Sequence, residues 1–506
     1  MTETEENTVT VSTDLYEVTF TNKGGTIKSF KLVKFLQECD KEDKSMIDLV
    51  PNDLTDEDGN PIDITDNPDN GLPFLFYADG LDELKQTIYS LSKNDMVDGK
   101  RVIEFKGVTS TNLEVTKRFT LSNDTYSINL DIEIRNLGET ETVLKDLRVN
   151  WGPGIIKTNL TKLDRRYYGP TFKVDDKKKA KRMKKKEGEK KIEGAVDWIL
   201  TSSKYFTVAI IERPDTKVKA DGIYYFILKN DKLNIGLYYD SLKLAPSESK
   251  TIKLKSYLGP KQKAEVQKFD EDLTEITSFK VIAGLGFISD FLLVLMKFLY
   301  RFIPNYGVVI IIITLLFKLV FYPLTHKSMK SMKKMQDIQP ILQDLQKRYK
   351  DDPKQLQQET MRMYKTYGVN PFSGCLPLLI QTPIFIALYT TFGGAIELRC
   401  APFLFWIQDL SRPDTVAMIS NFSVNILPIL MGVAMLGQQL VQGSQKNQSQ
   451  QTAFLKFLPL MFLFFFWNFP SGLVLYWLMN NIFTIIQTMI INKTSESSKK
   501  HELVAK

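Results

Sequence analysis

Residues 306–325 read YGVVIIIITLLFKLVFYPLT. The run is apolar throughout except for one cation, Lys318, with Thr314 one turn earlier on the same helical face. Before it, the chain alternates in the manner of a water-soluble β domain. After it, most segments read as apolar helices or as short connections between them. A lysine inside a membrane span is costly and is usually kept for function. The fold and the function both turn on what such a cation faces.

With 506 residues the chain is long enough for several domains. Its mean hydropathy of −0.16 averages two unlike parts, a polar one up to about residue 265 and one over about 280–492 that holds most of the Phe, Ile, Leu and Met. The net charge of +7 suits a membrane protein with basic cytoplasmic loops better than a nucleic-acid binder. Cys39, Cys375 and Cys400 form no CxxC pair, which argues against a zinc site or a disulfide framework. His326 and His501 are the only histidines, too few for a histidine metal centre or a Ser-His-Asp arrangement. No catalytic residue, metal or cofactor is therefore expected, and the chain does not read as an enzyme. The opening MTETEENTV has neither the basic start nor the apolar core of a signal or anchor. Because the topology below puts the β domain outside, an export signal or membrane anchor is expected ahead of it.

Over roughly 8–262, short runs such as TVTVST, YEVTFT, LEVTKRFTL and YSINLDIEIRN alternate apolar and polar residues, the pattern of half-buried strands. Turn signals separate them at Asn22-Lys23-Gly24-Gly25, Asn136-Leu137-Gly138 and Pro214-Asp215. Many short strands without long helices predict an all-β sandwich over 1–265. The acidic stretch Asp40–Asp69 and the lysine-rich run Lys177–Lys191 read as loops, and contact of the latter with anionic lipid would rest on charge alone.

Residues 280–303 contain an amphipathic segment, GLGFISDFLLVLMKFLYRF, with Lys297 and Arg301 four residues apart. It reads as a helix lying in the outer membrane–water interface. The remainder, 304–492, predicts an all-α polytopic membrane domain with five spans, near 305–324, 372–395, 421–441, 454–469 and 472–491. The connection 325–370 carries ten Lys and Arg residues, whereas 397–420 carries only Arg399 and Arg412. The positive-inside rule then places 325–370 and the tail 493–506 in the cytoplasm and the β domain outside. Within 325–370 two helices, 326–350 and 354–367, form a hairpin, with Asp352 as N-cap and Pro353 at the first helical position of the second. Met329, Met332 and Met335 recur along its base; they either contact varied apolar clients or pack the two helices together.

Under this topology the polar intramembrane residues collect in the inner half. Lys318 lies there, Gln381 sits near the middle of its span, and Gln438 is close to the inner end of the third. Tyr476, Asn480, Thr484 and Gln487 make one stripe on the last span, and the outer half is apolar, as in MFLFFFW at 461–467. Polar groups in lipid must face a partner or water. Pointed at one another, these would line a wet groove open to the cytoplasm and closed to the outside. Snorkelling of Lys318 to the inner interface is the simpler alternative, but it does not account for the stripe.

The blocks NPFSGCLPLLIQTPIFIALY (370–389), ELRCAPFLFWIQDLS (397–411) and FPSGLVLYW (469–477) resemble the YidC/Oxa/Alb membrane protein insertases, in the Gram-negative bacterial form with a large periplasmic domain. The resemblance covers about 280–492. It implies a multi-pass protein of the bacterial inner membrane that inserts and helps fold nascent membrane proteins, alone or beside the Sec translocon, with the ribosome as a candidate partner. It also implies a first membrane helix ahead of the β domain, and for that periplasmic domain a galactose-mutarotase-like supersandwich. A groove cation receives the client in this family, usually an arginine. Here the matching position is Lys318, which keeps the charge but not the planar fork. Substrate-contacting faces fall on Thr314, Tyr476 and Trp477. Two rival readings are a small-solute transporter, which should show an internal repeat that this sequence lacks, and a glycan-binding β domain.

Overall fold

The computed structural model describes residues 5–36, 39, 45–50, 72–81, 83–152, 154–155, 168–175, 180–182, 188–227, 233–270, 272–277, 286–369, 376–420, 422–441 and 450–504. The chain forms two compact units, Met1–Ser278 and Phe279–Lys506. Most of the acidic stretch Asp40–Asp69, part of the lysine-rich run and the NPFSGC start of the second span lie outside the described residues.

The first unit is an antiparallel β-sandwich. Its largest sheet has nine strands, centred on Ser249–Pro260, Ser127–Asn136, Leu113–Leu121 and Lys100–Val108. A five-stranded sheet, including Leu233–Leu244 and Thr142–Trp151, and a four-stranded sheet, including Tyr16–Thr21 and Thr26–Leu36, supply the rest of the strands. Aromatic rings join the sheets in one core. Phe119 of the large sheet lies 5.0 Å from Phe20 and 6.3 Å from Phe74, and Phe74 lies 5.6 Å from Trp151. The turn at Gly24 and Gly25 uses left-handed backbone in both residues, which explains glycine at each.

Period-two alternation puts Leu113, Val115, Lys117, Phe119 and Leu121 on the inward face of one strand. Lys117 is thus fully buried, opposite Ile132. Its Nζ donates to the carbonyls of Gly24 (2.7 Å) and Phe74 (3.1 Å), tying the large sheet to the other two. Burial pulls its ammonium down to about 7.

The second unit is helical: α1 (Gly286–Tyr300), α2 (Tyr306–Val320), α3 (Tyr322–Asp337), α4 (Gln339–Arg348), α5 (Pro353–Thr366), α6 (Leu376–Gly394), α7 (Ile426–Val441), α8 (Gln450–Phe466) and α9 (Ser471–Val504). The expected amphipathic segment is α1. Leu292 and Met296 bury one side of it, while Phe287, Phe291, Val294 and Phe298 leave an apolar stripe exposed. Ser289 Oγ donates to the Ala387 carbonyl of α6 at 3.2 Å.

Several expected boundaries move. The first span does not run to Leu324. α2 stops at Val320 and the chain turns by 67° into α3. Pro323 has no N–H for the Leu319 carbonyl and its ring crowds that turn. The expected helix 326–350 breaks at Ile338, where Pro340 enters the first turn of α4. The span expected from 421 begins at Ile426, because Phe422–Asn425 is a strand paired with Thr415–Ile419. α9 continues far past 491, through most of the expected tail. The cap at Asp352 is as expected, its carboxylate accepting from the N–H groups of Lys354 and Gln355.

Among the described residues one helix, over Ser471–Lys493, is long and apolar enough to cross a bilayer, and α2 with the start of α3 is a second if the bent pair counts as one. α7 and residues 457–466 of α8 are shorter apolar helices.

Candidate functional site

One face of α9 carries the site. Its polar residues recur at helical spacing, so a single rod presents them to three neighbouring helices in turn. From Tyr476 to Thr488 the rod rises about 18 Å at 1.5 Å per residue.

At the start of the face, Gln381 Nε2 of α6 donates to Tyr476 Oη at 3.1 Å. Two turns on, Lys318 Nζ of α2 donates to Thr484 Oγ1 at 2.7 Å, and Thr484 Oγ1 donates in turn to the Asn480 carbonyl at 2.6 Å. Next, Gln487 Nε2 donates to Thr325 Oγ1 of α3 at 3.0 Å. Thr488 Oγ1 sits 4.0 Å from Met329 Sδ, a weak contact. The lysine is half-buried and its one hydrogen-bond partner among the described residues is a hydroxyl. An ammonium has three donors, so two remain for water or an incoming acceptor.

The structure therefore brings together Lys318, Thr484, Gln487, Gln381 and Tyr476, but not every residue expected with them. Thr314 is buried and its hydroxyl donates to Ile310 of its own helix at 2.7 Å, so it contributes no donor to the face. The carboxamides of Asn480 and Gln438 join none of these hydrogen bonds. Trp477 faces sideways, its ring 5.4 Å from Phe385 and 5.8 Å from Phe462. Together with Gln381, Thr382, Phe465 and Phe466 these rings line a cavity of about 200 Å³ between α6, α8 and α9.

Of the methionines, Met335 packs against Ile338, Leu342 and Val369 beside Met363 of α5, which holds the hairpin together. Met329 and Met332 are half-buried. Thr325, Thr488 and Asn481 were not read from the sequence as part of the site. Thr488 is the next step of the stripe after Thr484, and Thr325 lies seven residues beyond Lys318, so helical periodicity would have found both. Asn481 is buried, and its Nδ2 has no hydrogen-bond partner among the described residues.

The 395–425 connection closes one end of the bundle. Gly472 N donates to the Leu410 carbonyl at 3.0 Å and Ser471 N to that of Arg412 at 2.7 Å. Phe403 packs so tightly on Gly307 that a Cβ there would overlap its ring. Burial pushes the Asp414 carboxyl up, while Trp406 Nε1 and Leu427 N both donate to it.

Residues 298–499 match the family model of the 60Kd inner membrane protein, and residues 8–293 match that of the YidC periplasmic domain. The membrane protein insertase YidC of Pelobacter propionicus is 35% identical over 502 residues, which cover 97% of this chain and 87% of the relative. The chain belongs to the YidC family of membrane protein insertases. The YidC of Chlorobaculum tepidum is 31% identical over 98% of this chain and 83% of its own. A crystal structure of an active YidC insertase with its first transmembrane domain resolved is 19% identical, covers 96% of this chain and 93% of its own, and superposes with a TM-score of 0.40. A galactose mutarotase related enzyme from Lactobacillus acidophilus, at 11% identity and a TM-score of 0.33, covers 50% of this chain and 97% of its own. The YidC relatives are named for insertion, a non-enzymatic function, and their family model is that of an inner membrane protein.

Proposed function

We propose that the α9 face, Lys318 and the neighbouring helices form a hydrophilic inner-leaflet groove through which nascent membrane proteins enter the bilayer from the cytoplasm. In this reading α2, α6, α7, α8 and α9 are the five spans. The β unit lies in the periplasm, the basic α3–α5 hairpin and the end of α9 lie in the cytoplasm, and α1 rests in the outer interface. The domain limits are those read from the sequence: 1–265, 280–303, 304–492 and 493–506.

The observation that carries the proposal is the Lys318–Thr484 hydrogen bond, which leaves a cation inside the bundle with donors to spare. A client helix with a short acidic tail reaches the hairpin, where Met329 and Met332 offer adaptable contacts, and then the groove. A charge at the bilayer centre costs about 2.5–3.5 kcal/mol or more. A wet inner half shortens the hydrocarbon path, and Lys318 supplies a temporary counter-charge. The apolar client segment slides past Trp477 and the aromatic cavity into lipid, where burial drives the process forward. Tyr476, Gln381, Gln438, Asn480, Thr484 and Gln487 keep the groove polar. The insertase works alone or beside the Sec translocon, and the basic hairpin is the surface on which a ribosome would dock.

The test is complementation of a strain depleted of its own insertase, scored by insertion of a client with an acidic tail. Lys318→Arg should support growth and Lys318→Glu should not. Full activity of Lys318→Glu would remove the electrostatic role.

A further inference from the structure

The connection into α7 contains a feature that neither the groove nor the family assignment uses. Thr415–Ile419 and Phe422–Asn425 pair as an antiparallel hairpin, with Ile419 opposite Phe422 and Met418 opposite Ser423. Residues 415–425 hold no charged side chain. Both faces are apolar and open: Met418 is 63% and Ile419 67% exposed, and Val416 and Phe422 are also exposed.

The base of the hairpin is fixed. Asn425 is fully buried, its Nδ2 donating to the Trp467 carbonyl at 2.6 Å and its Oδ1 accepting from Thr415 Oγ1 at 2.8 Å. Trp467 Nε1 donates to the Ser423 carbonyl at 2.9 Å, and its ring lies 5.1 Å from Phe422. A two-stranded hairpin is marginal in water by itself, and exposed apolar patches mark contact surfaces. Here a fixed base holds out apolar strand side chains, flanking the polar Ser420-Asn421 in sequence, that no other described part of the chain covers.

We infer that this hairpin is a lipid-contacting element, seated at the headgroup–acyl boundary of the outer leaflet. The inference rests on the membrane placement proposed above. Three observations select phospholipid as the occupant. Phe422–Asn425 runs directly into α7, whose exposed Ile429, Val433, Leu436 and Leu440 follow i, i+4, i+7, i+11 and so form one lipid-facing stripe that the hairpin prolongs. The described 16 residues of α7 rise about 24 Å against a hydrocarbon core of about 30 Å, and the hairpin adds apolar surface at their N-terminal end. Trp467 and Trp406 stand at the base, hydrogen-bonded to the Ser423 carbonyl and to Asp414, and tryptophan is enriched at membrane–water interfaces. The depth is bounded as well. The outer strand edges carry backbone groups without partners among the described residues, and such groups cannot enter hydrocarbon, so the hairpin stops where water still reaches them.

The full chain, reconstituted in phosphatidylcholine–phosphatidylglycerol vesicles with a fluorescent amino acid at Ile419, tests this. Phe464, exposed on α8, serves as the lipid reference, and Asp95, exposed in the β unit, as the aqueous one. Phospholipids brominated near the glycerol should remove roughly half of the Ile419 emission and more than lipids brominated near the chain end, as for an interfacial element. Aqueous iodide should quench Ile419 less than Asp95. Iodide quenching equal to that at Asp95, or protection from both quenchers, overturns the proposal, the second outcome pointing to a protein partner or a second copy. Loss of lipid quenching at Phe464 would instead sink the membrane placement itself. The same probe at Met418 gives an independent reading if the Ile419 variant does not fold.

Discussion

Lys117 in the β unit and Lys318 in the helical unit are both cations drawn away from bulk water, but their surroundings differ. Lys117 is fully buried, gives hydrogen bonds to two carbonyls, and lies 5.6 Å from the centre of the Tyr89 ring. Two of its three donors are committed to joining three sheets. Lys318 is only half-buried and has a single hydroxyl partner among the described residues. A fully buried cation held by two backbone carbonyls acts as a cross-brace; a half-buried one held by a single hydroxyl can receive a visitor. Burial and acceptors together separate the two roles.

The same substitution at both positions should separate them most strongly. Lys318→Met should lower insertion of acidic-tailed clients at least tenfold, about 1.4 kcal/mol or more on the barrier, while thermal unfolding in detergent stays near that of the parent. Retained insertion would collapse the distinction. Lys117→Met should do the reverse. It orphans the Gly24 and Phe74 carbonyls and should cost roughly 1–3 kcal/mol of stability, read by denaturant unfolding, with insertion intact below the lowered midpoint.

A pH series sharpens the contrast. The folded Lys117 ammonium loses its proton near 7, well below the ordinary lysine value. Between these values the unfolded chain binds more protons than the folded one, so stability should rise with pH, by up to about 1.4 kcal/mol per unit. Below about 7 both states are protonated and the contribution is flat. Lys117→Met should lack the slope; a slope unchanged in that variant would refute the assignment. The smallest effect is expected for Thr484→Val, which removes the one acceptor of Lys318 among the described residues. A loss of roughly 1 kcal/mol of local interaction should appear as a several-fold drop in insertion that Thr484→Ser restores.

Local chemistry was legible in the sequence where a single residue type forces an outcome. Asp352 before Pro353 can only cap a helix, Gly24 and Gly25 can only turn, and a lysine within an isoleucine run stands out by composition. Period-two alternation was enough for the sandwich. The bend at Phe321 and the break at Ile338 were missed because apolar or basic composition continues through both, although Pro323 and Pro340 are the physical cause of each. The 415–425 hairpin was partly absorbed into the span expected from 421, since two-sided apolar strands carry no period to tell them from helix. Lys117 was overlooked within LEVTKRFTL, where counting by twos from Leu113 would have put a cation on the inward face. The pairing of Lys318 with Thr484 is tertiary, and no local signal encodes it.

The 67° bend between α2 and α3 has a mechanical side. Hydrogen bonds continue through it, Phe321 N to the Phe317 carbonyl at 3.0 Å and Thr325 N to that of Phe321 at 2.9 Å, so the two helices form a crank rather than a loose joint. The long arm, α3, reaches about 24 Å from the pivot, and Lys318 rides on the other arm only about 4.5 Å away at 1.5 Å per residue. A rotation about this bend that moved the far end of α3 by about 4 Å would move the Lys318 backbone by less than about 1 Å. Movement of the basic arm is thus scaled down at Lys318 to a displacement that the flexible four-carbon lysine stem can absorb while it keeps its hydrogen bond to Thr484.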